Sequence, residues 1–115
     1  MIKFDEQKQL DSVAGALAIR KEIEGIAADV AGRGYKNICY LGIGGTYASA
    51  LQTQNHVQEY SGMEIIAQNA ALYNTTGNRR IGKDTVIVLS SVTGTTQEVV
   101  AAVEKAKAQG AVVIG

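Results

Sequence analysis

An α/β fold built on a parallel sheet is what this sequence predicts, and three observations carry that expectation. Short apolar runs, Ile38-Cys-Tyr-Leu41, Val86 to Leu89 and Ala111-Val-Val-Ile114, are continuous rather than alternating, as strands buried on both faces are. Helical patterns separate them, the order that gives a parallel sheet with right-handed crossovers. Two of the runs lead at once into small polar loops that open a helix, at Leu41-Gly-Ile-Gly-Gly-Thr46 and at Ser90-Ser-Val-Thr-Gly-Thr-Thr96.

Taken in order, the chain from about Gln7 to Ala31 reads as a helix, with apolar positions Val13, Leu17, Ile23, Ile26 and Val30 among charges. Gly32-Arg-Gly34 closes it. Ile38 to Leu41 is a buried strand, the glycine loop follows, and Tyr47 to about Tyr60 is a helix ended by Ser61-Gly62. Met63 to Ala67 reads as a short strand, Gln68 to Tyr73 as a short helix, and Asn74 to Asn78 as a polar turn. Arg79 to Asp84 is a charged connection. Thr85 to Leu89 is the most strand-like segment. Thr95-Thr-Gln-Glu98 has the pattern of a capping box, with Thr95 as N-cap and Glu98 three residues on. The helix it opens directs Val99, Val100, Val103 and Ala106 inward and ends at Gln109-Gly110. The final strand is followed by a single residue and no covering helix, which points to a piece of a longer chain.

Size and composition bound the function. A length of 115 residues suits one domain with a modest core. Eleven basic residues balance eleven acidic ones, with no basic run, which argues against a nucleic-acid partner. The apolar runs are too short for a membrane span. The start, Met-Ile-Lys-Phe-Asp-Glu, lacks the cationic and apolar blocks of a signal peptide. The one cysteine, Cys39, lies in an apolar run and reads as a small core residue. A reducing cytoplasm fits these features, and nothing in them calls for a metal or a cofactor.

In a parallel α/β sheet ligands bind outside the carboxyl ends of the strands, and both polar loops belong there. The first is no dinucleotide fingerprint: Tyr47 stands where a glycine or alanine is required, and Glu64 opens the second strand rather than ending it. It is no P-loop either, because no Gly-Lys-Ser/Thr follows. The plainer reading of this loop is a tight strand-to-helix turn with Thr46 as N-cap. In the second loop Thr95 and Glu98 are accounted for by capping. Ser90, Ser91, Thr93 and Thr96 are surplus small donors, suited to an uncharged phosphate cup at a helix N-terminus.

The pair of loops resembles the sugar isomerase (SIS) domain family. That family carries a Gly-Gly-Ser/Thr turn after its first strand and a Ser-x-Ser-Gly-x-Thr loop after a later one. Gly44-Gly45-Thr46 and Ser91-Val-Thr-Gly-Thr-Thr96 are similar to these, and Lys105-Ala-Lys-Ala-Gln-Gly-Ala-Val-Val-Ile114 extends the likeness. The resemblance implies a flavodoxin-like three-layer sandwich with a mostly parallel sheet, in residues 35–115, behind an N-terminal helix in 1–34. It implies phosphate binding by Gly45, Thr46, Ser91, Val92, Thr93 and Thr96. Thr46 and Thr93 replace the commoner serine and keep the donor, while Val92 can offer only its backbone N–H. The nearest likeness is to two-domain members, the isomerase half of glucosamine-6-phosphate synthase and the fructosamine-6-phosphate deglycases. Their acid–base residues lie mainly in a second domain, so the resemblance implies that these are not in this sequence. The apolar positions on the first helix and on the helix from Tyr47 need a cover, which a homodimer or a companion SIS domain would supply.

General acid–base work on a sugar needs a titratable group near C1 and C2. The candidates are His56, ten residues after Thr46, and Glu59; an ordinary helix residue is the plainer account of His56, and no catalytic residue is assigned. Arg79 and Arg80 read as a solvated connection and Tyr47 as packing or pocket lining. The functions left open are a sugar-phosphate isomerase or deglycase part, a non-catalytic phosphosugar sensor, and, disfavoured by Tyr47, a dinucleotide domain.

Overall fold

The computed structural model describes residues 3–115, which fall into two compact units that divide between Arg33 and Gly34. The first holds α1 (Glu6–Ala18) and α2 (Arg20–Arg33). Asp5 caps α1 by accepting the N–H of Lys8 at 2.9 Å. One continuous helix was the expectation; instead the helix breaks at Ile19, which has φ −90° and ψ 5°. The apolar spacing explains the break. Leu10, Val13 and Leu17 form one stripe, and Ile19, Ile23, Ile26 and Val30 form another whose phase is shifted. A single helix would point the two stripes in different directions. Neither helix buries a residue.

The second unit is the predicted α/β sandwich. Its elements are β1 (Asn37–Gly42), α3 (Gly45–Tyr60), β2 (Ile65–Asn69), α4 (Ala70–Thr76), β3 (Thr85–Leu89), α5 (Gln97–Ala108) and β4 (Val112–Ile114). The four strands are all parallel, in the order β2-β1-β3-β4. The crossover from β1 to β2 therefore runs one way across the sheet, and those from β2 to β3 and from β3 to β4 run the other way. Right-handed crossovers then put α3 on one face and α4 with α5 on the opposite face.

Side-chain alternation along the strands agrees with this. Cys39, Leu41, Ile66 and Ile87 point into a core shared with Ala70 and Tyr73 of α4 and Val99, Ala102 and Ala106 of α5. Ile65 and Val86 are buried on the other face, as is Ala50 of α3. The inward stripe of α5 differs from the one expected: Val100 is exposed and Ala102 takes its place. The helix starts one residue later than its capping pattern suggests, with Thr96 rather than Thr95 as N-cap.

The amino ends of the strands are tied by a buried polar knot. Asn37 and Thr85 are register partners, and Thr85 Oγ1 donates to Asn37 Oδ1 at 2.7 Å. Asn37 Nδ2 donates to the carbonyl of Arg80, and the N–H of Gly82 donates to Thr85 Oγ1. These bonds satisfy groups that burial would otherwise penalise, and they fasten the connection 79–84 to the edge of the sheet opposite both loops.

Cys39 is fully buried in the middle of β1. Burial disfavours its thiolate and pushes its pKa from 9.0 up to about 12. The unfolded chain ionises first, so stability is intact below pH 9 and falls as pH rises from 9 towards 12. The loss across that interval is roughly 4 kcal/mol. Urea unfolding at pH 8 and pH 10.5 should show the decline begin, and Cys39→Ala should flatten it.

Candidate functional site

Sheet order places the site. The chain leaves β1 in one direction across the sheet and leaves β3 in the other, so the switch in direction lies between these two neighbouring strands. A crevice opens there, beyond the carboxyl ends. Both loops singled out in the sequence leave from those ends.

The first loop turns sharply because of two glycines. At Gly42 an added Cβ would lie 2.6 Å from the backbone carbon of Thr46 and 2.6 Å from the backbone nitrogen of Tyr47, so only glycine lets α3 begin this close to β1. Gly44 is the N-cap, with φ 58° and ψ −125°, a left-handed φ that side chains resist. Thr46 is therefore not the N-cap that a plain turn would make it. Its Oγ1 accepts the N–H of Ile43 and donates to the carbonyl of Ile43, both at 3.0 Å. The hydroxyl is a staple across the turn, and its one proton is already engaged.

The second loop is organised by its own hydroxyls. Ser91 Oγ accepts the N–H of Gly94 at 3.0 Å, and Thr93 Oγ1 accepts the N–H of Thr95 at 3.2 Å. These local bonds carry the non-helical chain one residue further than the capping-box reading allows. The N-cap is Thr96, and its side chain makes no capping bond. Glu98 then falls at the second helical position, where it cannot bond back to the cap. The expected box of Thr95 and Glu98 is not formed. Both Ser91 and Thr93 still have a hydroxyl proton to donate, and Thr96 has its whole hydroxyl free of the cap.

Between the loops lies an open pocket of about 440 Å³, lined by Ile43, Gly45 and Thr46 from the first and by Ser90, Ser91, Val92, Thr93 and Thr96 from the second, with Val99 beneath. Every residue expected to hold phosphate is in this lining. The amino ends of two long helices, α3 and α5, meet here, so the partial positive ends of both dipoles face one space. No lining residue carries a formal charge. Val92 is 99 % exposed at the rim. Sequence reasoning left Ile43, Ser90 and Val99 out of the site. Ser90 was visible as a surplus hydroxyl, whereas Ile43 and Val99 looked like ordinary loop and core residues.

Gly45 differs from the other two loop glycines. It lines the pocket, and an added Cβ there would meet no protein atom within 4 Å. Gly45→Ala should leave folding stability unchanged or raise it by up to about 1 kcal/mol, since alanine favours a helix start over glycine. It should weaken anion binding, because the new methyl occupies the cup. Thermal unfolding with and without a phosphate monoester separates the two effects.

The other candidates lie elsewhere. His56 is exposed and its ring lies 5.0 Å from that of Tyr60. Ten helical residues put it about 15 Å along the axis from Thr46. Glu59 is further still along the same helix. Arg79 and Arg80 precede β3 and so sit at the amino ends of the strands, where Arg80 lies 3.6 Å from Glu64. Tyr47 is half-buried and outside the pocket lining.

Comparisons with known proteins agree with this fold. The family model of the SIS domain matches residues 33–115. No curated protein sequence matches the chain. Among solved structures, a candidate phosphosugar isomerase from Salmonella typhimurium LT2 is similar with a TM-score of 0.70 and 26 % identity, over 78 % of this chain and 28 % of that one. A candidate phosphosugar isomerase from Bacillus subtilis is similar in fold, with a TM-score of 0.69 and 21 % identity, over 81 % of this chain and 29 % of that one. The chain thus spans less than a third of the length of either structure. Among the described residues no helix is long and apolar enough to cross a membrane.

Proposed function

Because this chain belongs to the SIS domain family, we propose that it holds a sugar phosphate by its phosphoryl group, as the binding part of a sugar-phosphate isomerase or deglycase. The observation that carries this reading is the convergence of two hydroxyl-bearing loops and two helix N-termini on one pocket at the switch point of the sheet. Ser91, Thr93 and Thr96 supply O–H donors, and Gly45 and Val92 supply backbone N–H groups. Thr46, engaged with Ile43, keeps the first loop in shape. Neutral donors aimed by two dipoles can bind an anion without a cation, at a smaller desolvation cost than a buried lysine or arginine carries.

The lining holds no carboxylate, imidazole or amine to move a proton between C1 and C2. In this reading the acid–base groups come from a companion domain of the same kind or from a second copy, and the protein works in the cytoplasm without a metal or cofactor. The same lining also supports a second reading, a phosphosugar sensor that binds without turnover.

Calorimetric titration tests both. Fructose 6-phosphate and glucosamine 6-phosphate should bind, and NADH should not. NADH binding without hexose phosphate binding would reverse the assignment. Isomerisation of fructose 6-phosphate by this chain alone would remove the need for a companion and exclude the sensor.

A further inference from the structure

Ser90 stands apart from the phosphoryl donors. It is the first residue past β3 and it lines the pocket. Its Oγ lies 3.3 Å from the phenolic oxygen of Tyr40, in the middle of neighbouring β1. Tyr40 is the register partner of Val88, two residues before Ser90. Alternation puts Tyr40 and Val88 on the same face of the sheet, and the long phenol reaches along the strands to the carboxyl end.

The polar side chains of the lining can be sorted by what they have left to give. Thr46 has spent its proton on Ile43. Ser91 and Thr93 are fixed by accepting loop N–H groups, so what they offer the pocket is a donor. Thr96 stands at the helix start, where an anion is favoured. Ile43, Val92 and Val99 form the apolar part. Ser90 alone is paired with another hydroxyl. If Tyr40 donates, the serine proton is free to enter the pocket; if Ser90 donates, its lone pairs are free to accept. A phosphoryl dianion only accepts and has no use for the second arrangement. A ligand hydroxyl donates and accepts, and matches both.

Resting on the sugar-phosphate reading above, we propose that Ser90, positioned by Tyr40, binds a hydroxyl of the ligand's carbon skeleton beside the phosphoryl group. The pair makes the site selective for phosphate monoesters of sugars and polyols over alkyl phosphates and inorganic phosphate. Ser90 touches the ligand, and Tyr40 acts through Ser90.

The test is calorimetric titration of the full chain with inorganic phosphate, ethyl phosphate and glucose 6-phosphate. The proteins are the wild type, Tyr40→Phe, Ser90→Ala and the double variant. Tyr40→Phe removes one oxygen and keeps the ring, and Ser90 is exposed, so both should fold. Each single change should weaken glucose 6-phosphate about fivefold to tenfold, the size of one hydrogen bond. The double variant should be no weaker than Ser90→Ala, and the other two probes should be unchanged. Equal weakening of all three probes would show that the pair only shapes the loop, and overturn the proposal. So would an unchanged glucose 6-phosphate affinity in Tyr40→Phe, or a wild type that binds ethyl phosphate as tightly as glucose 6-phosphate. If the wild type binds none of the probes, the sugar-phosphate reading itself falls and takes this one with it.

Discussion

Gly42→Ala should destabilise the sandwich by about 3 kcal/mol or more, the upper part of what overpacking costs. The new Cβ meets backbone atoms of Thr46 and Tyr47 at 2.6 Å, and neither can swing aside as a side-chain end could. Relief requires α3 to move off β1, which disturbs its packing on both β1 and β2. A domain of this size is stable by only ~5–15 kcal/mol, so the change removes a large fraction of the total. Chemical denaturation followed by circular dichroism should show a lower midpoint with an unchanged slope. Gly45→Ala, three residues on, is the internal control. It changes the same residue type in the same loop and should not destabilise, because its Cβ meets nothing. Equal losses at both positions would contradict the close approach at Gly42.

Replacing Thr93 and Thr96 together by alanine should abolish the rise in melting temperature that fructose 6-phosphate produces in the wild type. Hydrogen bonds to a charged group are worth about 1.5–3 kcal/mol each, so losing two weakens binding by roughly 100-fold or more. The fold should survive. Thr96 makes no side-chain cap bond to α5, and its backbone carbonyl still accepts the N–H groups of Val99 and Val100 at 3.0 Å. Thr93 supports only the N–H of Thr95 in an exposed loop. Differential scanning fluorimetry with and without the ligand, beside far-UV circular dichroism, reads both quantities. An undiminished shift would refute the assignment of this loop to phosphate.

The strands that pair deepest in the sheet were the most legible in the sequence. Thr85 to Leu89 is a strand residue for residue, because a β-rich apolar run between two polar segments has no competing pattern. β2 was expected at Met63 to Ala67 and lies at Ile65–Asn69. Its limits come from partners distant in sequence. Register with β1 begins at Ile38 and Ile65, and Ser61 Oγ holds the N–H of Met63 in a turn. Gln68, which reads as the start of a helix, lies within the strand in a buried position, where Asn78 Nδ2 donates to its side-chain oxygen. Asn69 then caps α4 by accepting the N–H of Leu72, so that helix begins at Ala70. The break at Ile19 was present in the spacing of the apolar residues, in the change of phase between Leu17 and Ile19.

The order of strands and helices, the parallel sheet and the two polar loops proposed to hold a ligand were all legible along the chain. Period, apolar continuity and turn chemistry are local properties, and they are written in neighbouring residues. That β1 and β3 lie side by side, which turns two loops about 45 residues apart into one pocket, follows from strand pairing across the folded sheet. The tertiary structure also decided what each hydroxyl does. Thr46 is spent on Ile43, Thr96 rather than Thr95 opens α5, and Ser90 meets Tyr40 across the sheet. A hydroxyl has one proton to give, and who receives it depends on which chain segment folding brings within about 3 Å.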